Sequence, residues 1–240
     1  MKKPPIDPSA RRQLLKGALL GGAAAVSMGS AGNVAIAATA SSGSAGGPAG
    51  GYVYFTPAEA TLVEAAVDHM VPADALSPKG TDLGIAVYID RALEGAWGKG
   101  DRLYMQGPWA VGVPSQGYQC PLSPAQLCRE GFAATLTHCK KTYGKSFEQL
   151  NAVQKDEVLN ALANNKVVFA GDLSSKTFFD MFYQTVVEGM FADPIYGGNV
   201  DKAGWKMIGF PGVIATHSRN IVTYKNKTYS AKPMGLADVS

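Results

Sequence analysis

Phe55-Thr56-Pro57-Ala58-Glu59 opens a stretch in which Leu62, Val63, Ala66, Val67 and Met70 recur at helical spacing until Pro72 stops the run. Thr56 is placed to cap the first amides, Pro57 takes the first position where its missing N–H does no harm, and Glu59 can close a capping box. Ser123-Pro124-Ala125-Gln126 repeats that signature and predicts a helix to about Tyr143, with Gly144 as its stop. Asn151-Ala152-Val153-Gln154 is a third start, with Val158, Leu159 and Leu162 as core positions. A helix from about Asp82 has the face Ile85, Ile89, Leu93 and Ala96, and a last long one runs from about Ser175 to Met190 through Phe178, Phe179, Phe182 and Val186. Strand patterns are scarce; only Asn220 to Tyr229, around Asn226, has the character of a short hairpin. No internal repeat is present. The fold class is mainly α, an irregular helical domain with long loops rich in glycine and aromatic residues.

The largest of these loops is Gly95 to Pro121, which carries Trp97, Tyr104, Trp109 and Tyr118 among five glycines beyond Gly95 and two prolines before Pro121. Long ordered loops are usually functional. Its aromatics either anchor a partner surface or staple the loop to its own domain, and the sequence leaves both open.

Ahead of the helical part, Arg11-Arg12-Gln13-Leu14-Leu15-Lys16 reads as a twin-arginine (Tat) export signal. Lys2, Lys3, Arg11, Arg12 and Lys16 form a positive n-region, and Gly17 to Ala38 is weakly apolar and diluted by glycine. Ala35-Ile36-Ala37 and Ala38-Thr39-Ala40 offer cleavage sites. A membrane-spanning helix needs about 20 strongly apolar residues, so export with cleavage is expected rather than a permanent anchor. The Gly/Ser/Ala/Pro run Ser41 to Gly51 cannot bury a core and reads as a flexible linker. The expected organisation is therefore a signal at 1–37, a linker at 38–54 and one domain at 55–240.

Without residues 1–37 the chain carries 17 Lys/Arg against 18 Asp/Glu. This near-neutral balance implies neither nucleic acid nor an anionic membrane surface as a partner. Cys120, Cys128 and Cys139 would all enter an oxidising compartment. Cys128 and Cys139 lie about three helical turns apart, roughly 16 Å, too far to join if the helix is continuous. Cys120 could fold back onto Cys128, a third thiol could bridge to another chain, or all three could stay reduced.

No Gly-x-Gly-x-x-Gly marks a dinucleotide site, no Cys-x-x-Cys-His a c-type haem and no cysteine cluster an iron–sulfur centre. His69, His138 and His217 are scattered outside metal-ligand spacing. No cofactor or metal is expected on this chain. A chain exported by the folded-protein route without a cofactor of its own points to an accessory subunit that travels with a cofactor-bearing partner.

Asp193-Pro194-Ile195-Tyr196-Gly197-Gly198-Asn199 continues through Gly204-Trp205 to Phe210-Pro211-Gly212. Many glycines interleaved with Tyr196, Trp205 and Phe210 imply an unusual backbone held by aromatic packing. Together with Glu188 to Ala192, and more weakly Val71-Pro72 and Val87-Tyr88-Ile89-Asp90 with Leu93, this segment resembles the gluconate 2-dehydrogenase subunit 3 family. These are the small subunits of membrane-associated FAD-dependent sugar and sugar-acid dehydrogenases. The resemblance covers about Phe55 to Gly212 and implies a division of labour. A large subunit holds FAD and oxidises the sugar, a cytochrome c subunit with c-type haem often passes the electrons on, and the small subunit binds the flavoprotein, supports its maturation and carries it through the Tat translocon. No catalytic residue on this chain is implied. The expected location is the periplasm, at the inner membrane through the complex. The residues expected at the partner interface are Trp109, Tyr196, Gly197, Gly198, Asn199, Trp205, Phe210 and Pro211. Two other readings predict different behaviour. A self-sufficient enzyme would use Asp68, His69 and Asp193, and a sugar-binding module would stack a ring on Trp97, Trp109 or Trp205.

Overall fold

The computed structural model describes residues 51–239 apart from 111 and 172, so Arg11, Arg12, the expected signal and most of the expected linker lie outside the described residues. The elements in chain order are α1 (Pro57–Met70), α2 (Ile85–Glu94), α3 (Ala96–Lys99), α4 (Pro124–Tyr143), α5 (Ala152–Ala163), α6 (Ser175–Phe191), α7 (Ala203–Ile208) and α8 (Ser218–Thr223), with short 3-10 turns between several of them. Among the described residues no strand forms, and extended backbone pairs at one isolated bridge, Gly212 with Met234.

The three helix starts read from the sequence carry reciprocal caps. Glu59 N donates to Thr56 Oγ1 while the Glu59 carboxylate accepts from Thr56 N at 2.8 Å. Ser123 with Gln126, and Asn151 with Gln154, repeat the arrangement. Each cap satisfies amides that have no partner inside the helix. Gly144, at φ 67°, closes α4 in the left-handed conformation.

Helix α6 is the hub and packs on α2, α4 and α5. Phe178, Phe182, Val186 and Met190 form its buried stripe. Phe132 of α4 meets Phe178 and Phe182 edge-on at centroid distances of 5.5 and 5.8 Å, while Phe178 and Phe182 stack at 5.9 Å. Such ring pairs add about 0.5–1.5 kcal/mol each beyond their area. Gly131 permits the approach, because a Cβ there would overlap the Phe178 ring. Val63 and Val67 of α1 and Ile85, Ile89 and Leu93 of α2 complete the core.

Four sequence expectations change. Helix α2 begins at Ile85 rather than Asp82, because the preceding turn ends in left-handed Gly84. Ala96 is exposed and starts α3 instead of extending the α2 face, so the Gly95–Pro121 segment is not all loop. Residues 220–229 form no hairpin: Ser218–Thr223 is helical, and Asn226 sits in a turn at φ 60°.

The domain also begins before Phe55. Val53, Tyr54 and Phe55 all donate their amides to the Asp90 carboxylate, at 2.8, 2.9 and 2.9 Å. Tyr52 donates to Glu64, and Tyr54 to the Ala125 carbonyl. Arg129 lies 4.0 Å over the Tyr54 ring and pairs with Glu59. Residues 52–54 are thus part of the fold rather than of the linker.

Candidate partner interface

The C-terminal end of α6 exposes carbonyls that have no partner inside the helix, and the glycine-rich segment after it supplies those partners. Asn199 Nδ2 donates to the Ala192 carbonyl at 2.8 Å, and its Oδ1 accepts from Gly204 N at 2.9 Å. Trp205 Nε1 donates to the Phe191 carbonyl at 2.7 Å, and Phe210 packs edge-on against Trp205 at 5.3 Å. Gly198 and Gly204 lie so close to α6 that a Cβ on either would overlap the carbonyl oxygens of Gly189 and Met190 respectively. The segment is also bound to the start of α2, where Val200 N donates to the Leu83 carbonyl at 3.1 Å.

Its backbone is unusual for a second reason. Asn199, Asp201 and Lys202 occupy the left-handed region at φ 49°, 55° and 56°. Such conformations cost free energy for residues with a Cβ and persist where the surroundings over-determine them. Here the α6 terminus and the α2 start do so.

The expected interface residues therefore divide into two sets. Asn199 is 0% exposed and Trp205 5% exposed, and both are engaged within the domain. Neither side chain reaches the surface. Gly198 is buried too, whereas Gly197, Phe210 and Pro211 are half-buried. Tyr196 is 54% exposed, with Ile195 and Val200 exposed close to it in sequence. The guanidinium of Arg91 and the side chain of Val87 border Gly197, and Tyr88 donates to Glu188 at 3.1 Å. Val87, Tyr88 and Glu188 belong to stretches that resemble the family, whereas Arg91 was not singled out from the sequence. Trp109 is half-buried in its loop, while Trp97 and Tyr104 are exposed.

The chain beyond Gly212 folds back along the same segment. Met234 N donates to the Pro211 carbonyl, and Val213 N to the Met234 carbonyl. Asp193 divides its carboxylate between Ile195 N at 3.1 Å and Leu236 N at 2.8 Å. Lys202 pairs with Asp238 at 2.7 Å, and this hydrogen bond holds the Asp238 carboxyl below its usual range.

Asp68, His69 and Asp193 do not act on a common point. Asp68 accepts from Lys79 Nζ and Thr81 N, His69 Nε2 pairs with Asp156 at 2.8 Å, and Asp193 is occupied as described. Among the described residues no group of three His, Cys, Asp or Glu side chains could hold a metal ion. Cys120, Cys128 and Cys139 form no disulfide with one another and are buried. Burial pushes the Cys128 thiol up to about 12 and the Cys139 thiol up to about 11.

A sequence profile described as gluconate 2-dehydrogenase subunit 3 matches residues 57–212. The chain belongs to the gluconate 2-dehydrogenase subunit 3 family. The match runs from the first residue of α1 to Gly212, so it contains the whole glycine-rich segment and stops where the returning tail begins. Membership in a family so named identifies the chain as a subunit associated with a gluconate dehydrogenase complex. No curated protein and no solved structure matches the chain.

Proposed function

We propose that this chain is the noncatalytic small subunit of a FAD-dependent gluconate or sugar dehydrogenase. It binds the flavoprotein large subunit, supports its maturation and carries it through the Tat translocon by way of Arg11 and Arg12. The complex resides in the periplasm at the inner membrane, with a c-type cytochrome as its electron outlet. One observation carries the reading: Ile195, Tyr196 and Val200 are exposed together on a segment immobilised by α6 and α2, inside the family match. Exposed apolar and aromatic side chains on a preorganised frame suit a protein partner, since little ordering remains to oppose binding. FAD belongs to the partner in this reading.

A catalytic role for Asp68, His69 and Asp193 finds less support, because each is committed to a different neighbour. Sugar stacking on Trp205 is disfavoured by its burial.

The test is affinity purification of the C-terminally tagged full chain from the native host, with an absorbance spectrum of the eluate. A heavier co-purifying chain with a flavin spectrum is expected. Converting Arg11 and Arg12 to lysine should retain both proteins in the cytoplasm. Normal export of the flavoprotein in that variant would overturn shared export, and a colourless single chain in every fraction would overturn the subunit reading.

A further inference from the structure

The near-neutral charge of the chain without its first 37 residues conceals a division. Residues 57–212 carry 13 Lys/Arg and 17 Asp/Glu, whereas residues 213–240 carry four and one. The excess positive charge lies next to exposed aliphatic side chains on α8. One side of this short helix is fastened down. His217 is buried, with the Tyr229 hydroxyl 3.0 Å from its Nδ1. Asn220 donates to the same hydroxyl at 2.8 Å, and the Tyr224 and Tyr229 rings meet at 4.8 Å. His217 is buried and Asn220 half-buried where they meet Tyr229, while Tyr224 stays 40% exposed.

Ile221 and Val222 of the same short helix are 67% and 78% exposed. Arg219, Lys225 and Lys227 flank them, also exposed, and no ion pair joins any of the three to an acid among the described residues. We propose that this exposed part of the tail rests on an anionic lipid surface, with Ile221 and Val222 entering the headgroup boundary and Arg219, Lys225 and Lys227 meeting lipid phosphates. Neighbouring exposed aliphatic and basic side chains suit that boundary. A nucleic acid would leave the aliphatic pair without a partner. The patch also lies beyond the family match, so it is not part of the surface by which members would share a flavoprotein contact. The contact belongs to this chain directly and does not depend on the subunit reading.

The test mixes the full chain with vesicles of phosphatidylcholine, with or without phosphatidylglycerol. Co-sedimentation and hydrogen exchange of residues 218–227 are then followed. The basic residues before position 17 will themselves attract anionic vesicles, so the local exchange and a variant in the same full chain are decisive. That variant is Ile221→Ser with Val222→Ser, Lys225→Glu and Lys227→Glu. Slower exchange at 218–227 is expected with phosphatidylglycerol vesicles only, and the variant should lose it. Its vesicle affinity should fall roughly tenfold or more, given what each basic residue contributes near such a surface. Unchanged exchange in the parent protein would overturn the proposal whether or not the variant folds. So would equal protection by phosphatidylcholine alone, or protection that appears only with a co-purifying protein.

Discussion

Asp90 and Phe55 meet across 35 residues of sequence, the Asp90 Oδ1 accepting the Phe55 amide at 2.9 Å in a buried position. The same oxygen accepts from Tyr54, and Oδ2 from Val53. One carboxylate in the middle of α2 thus fixes the strap that leads into α1. Asp90→Ala would strand three amides and should cost about 3 kcal/mol, since removing one partner leaves buried donors unsatisfied. Asp90→Asn keeps the oxygen that serves Tyr54 and Phe55 and should cost less. Urea midpoints and hydrogen exchange at residues 53–55 read both, and equal loss in the two variants would refute the assignment of roles.

Two glycines near the α6 terminus should respond differently to alanine. A Cβ at Gly198 overlaps the Gly189 carbonyl, whereas Gly209, at φ 71°, has nothing within contact distance. Gly209→Ala should therefore cost only the left-handed penalty, about 1 kcal/mol. Gly198→Ala forces helix and loop apart and should cost about 3 kcal/mol. Thermal unfolding of both variants checks the order, and a reversal would mean that the loop yields more readily than α6.

Helix starts were legible because a cap is local: Thr56 and Glu59 are three residues apart and need nothing else. Asp90 was not legible, since its amides come from 35 to 37 residues earlier in the chain. Ile221-Val222-Thr223 favours a strand by local propensity, yet His217, Asn220 and Tyr224 find Tyr229 at helical spacing, and that contact prevails. Within the glycine-rich segment, composition marked the whole stretch but could not sort inward from outward. Asn199 and Trp205 are turned inward by carbonyls of the α6 end, which only the three-dimensional arrangement brings near them.

The buried cysteines predict a pH effect with a definite sign. Folding raises the Cys128 thiol from about 9 to about 12 and the Cys139 thiol to about 11. An unfolded chain therefore releases these protons first as the pH rises. The stability they contribute is complete below about pH 9 and is lost as the pH climbs through the folded-state values. Urea midpoints measured from pH 8 to 11 should fall, and replacing both residues by alanine should flatten that slope. In the native protein at neutral pH no thiol should react quickly with an aromatic disulfide reagent, whereas denaturant should release three. A single fast thiol would restore the case for a bridge to another chain.

Tyr196 and Trp205 lie nine residues apart in one segment, and their substitution should separate binding from folding. Trp205 fills the space under Phe210 and caps a carbonyl of α6, so Trp205→Ala should cost about 3–5 kcal/mol, as large-to-small changes of buried aromatics do. Tyr196 is 54% exposed, so its side chain contributes little to the packing of the segment. Tyr196→Asp should change stability by only about 0.5 kcal/mol. If Tyr196 anchors the flavoprotein, the same change should weaken co-purification by at least about 2 kcal/mol of binding, roughly thirtyfold. Melting temperature and partner recovery, measured on both variants, give two independent axes. A Tyr196→Asp protein that keeps both its stability and its partner would move the contact elsewhere, with the exposed Trp97 of α3 and Tyr104 of the loop after it next in line.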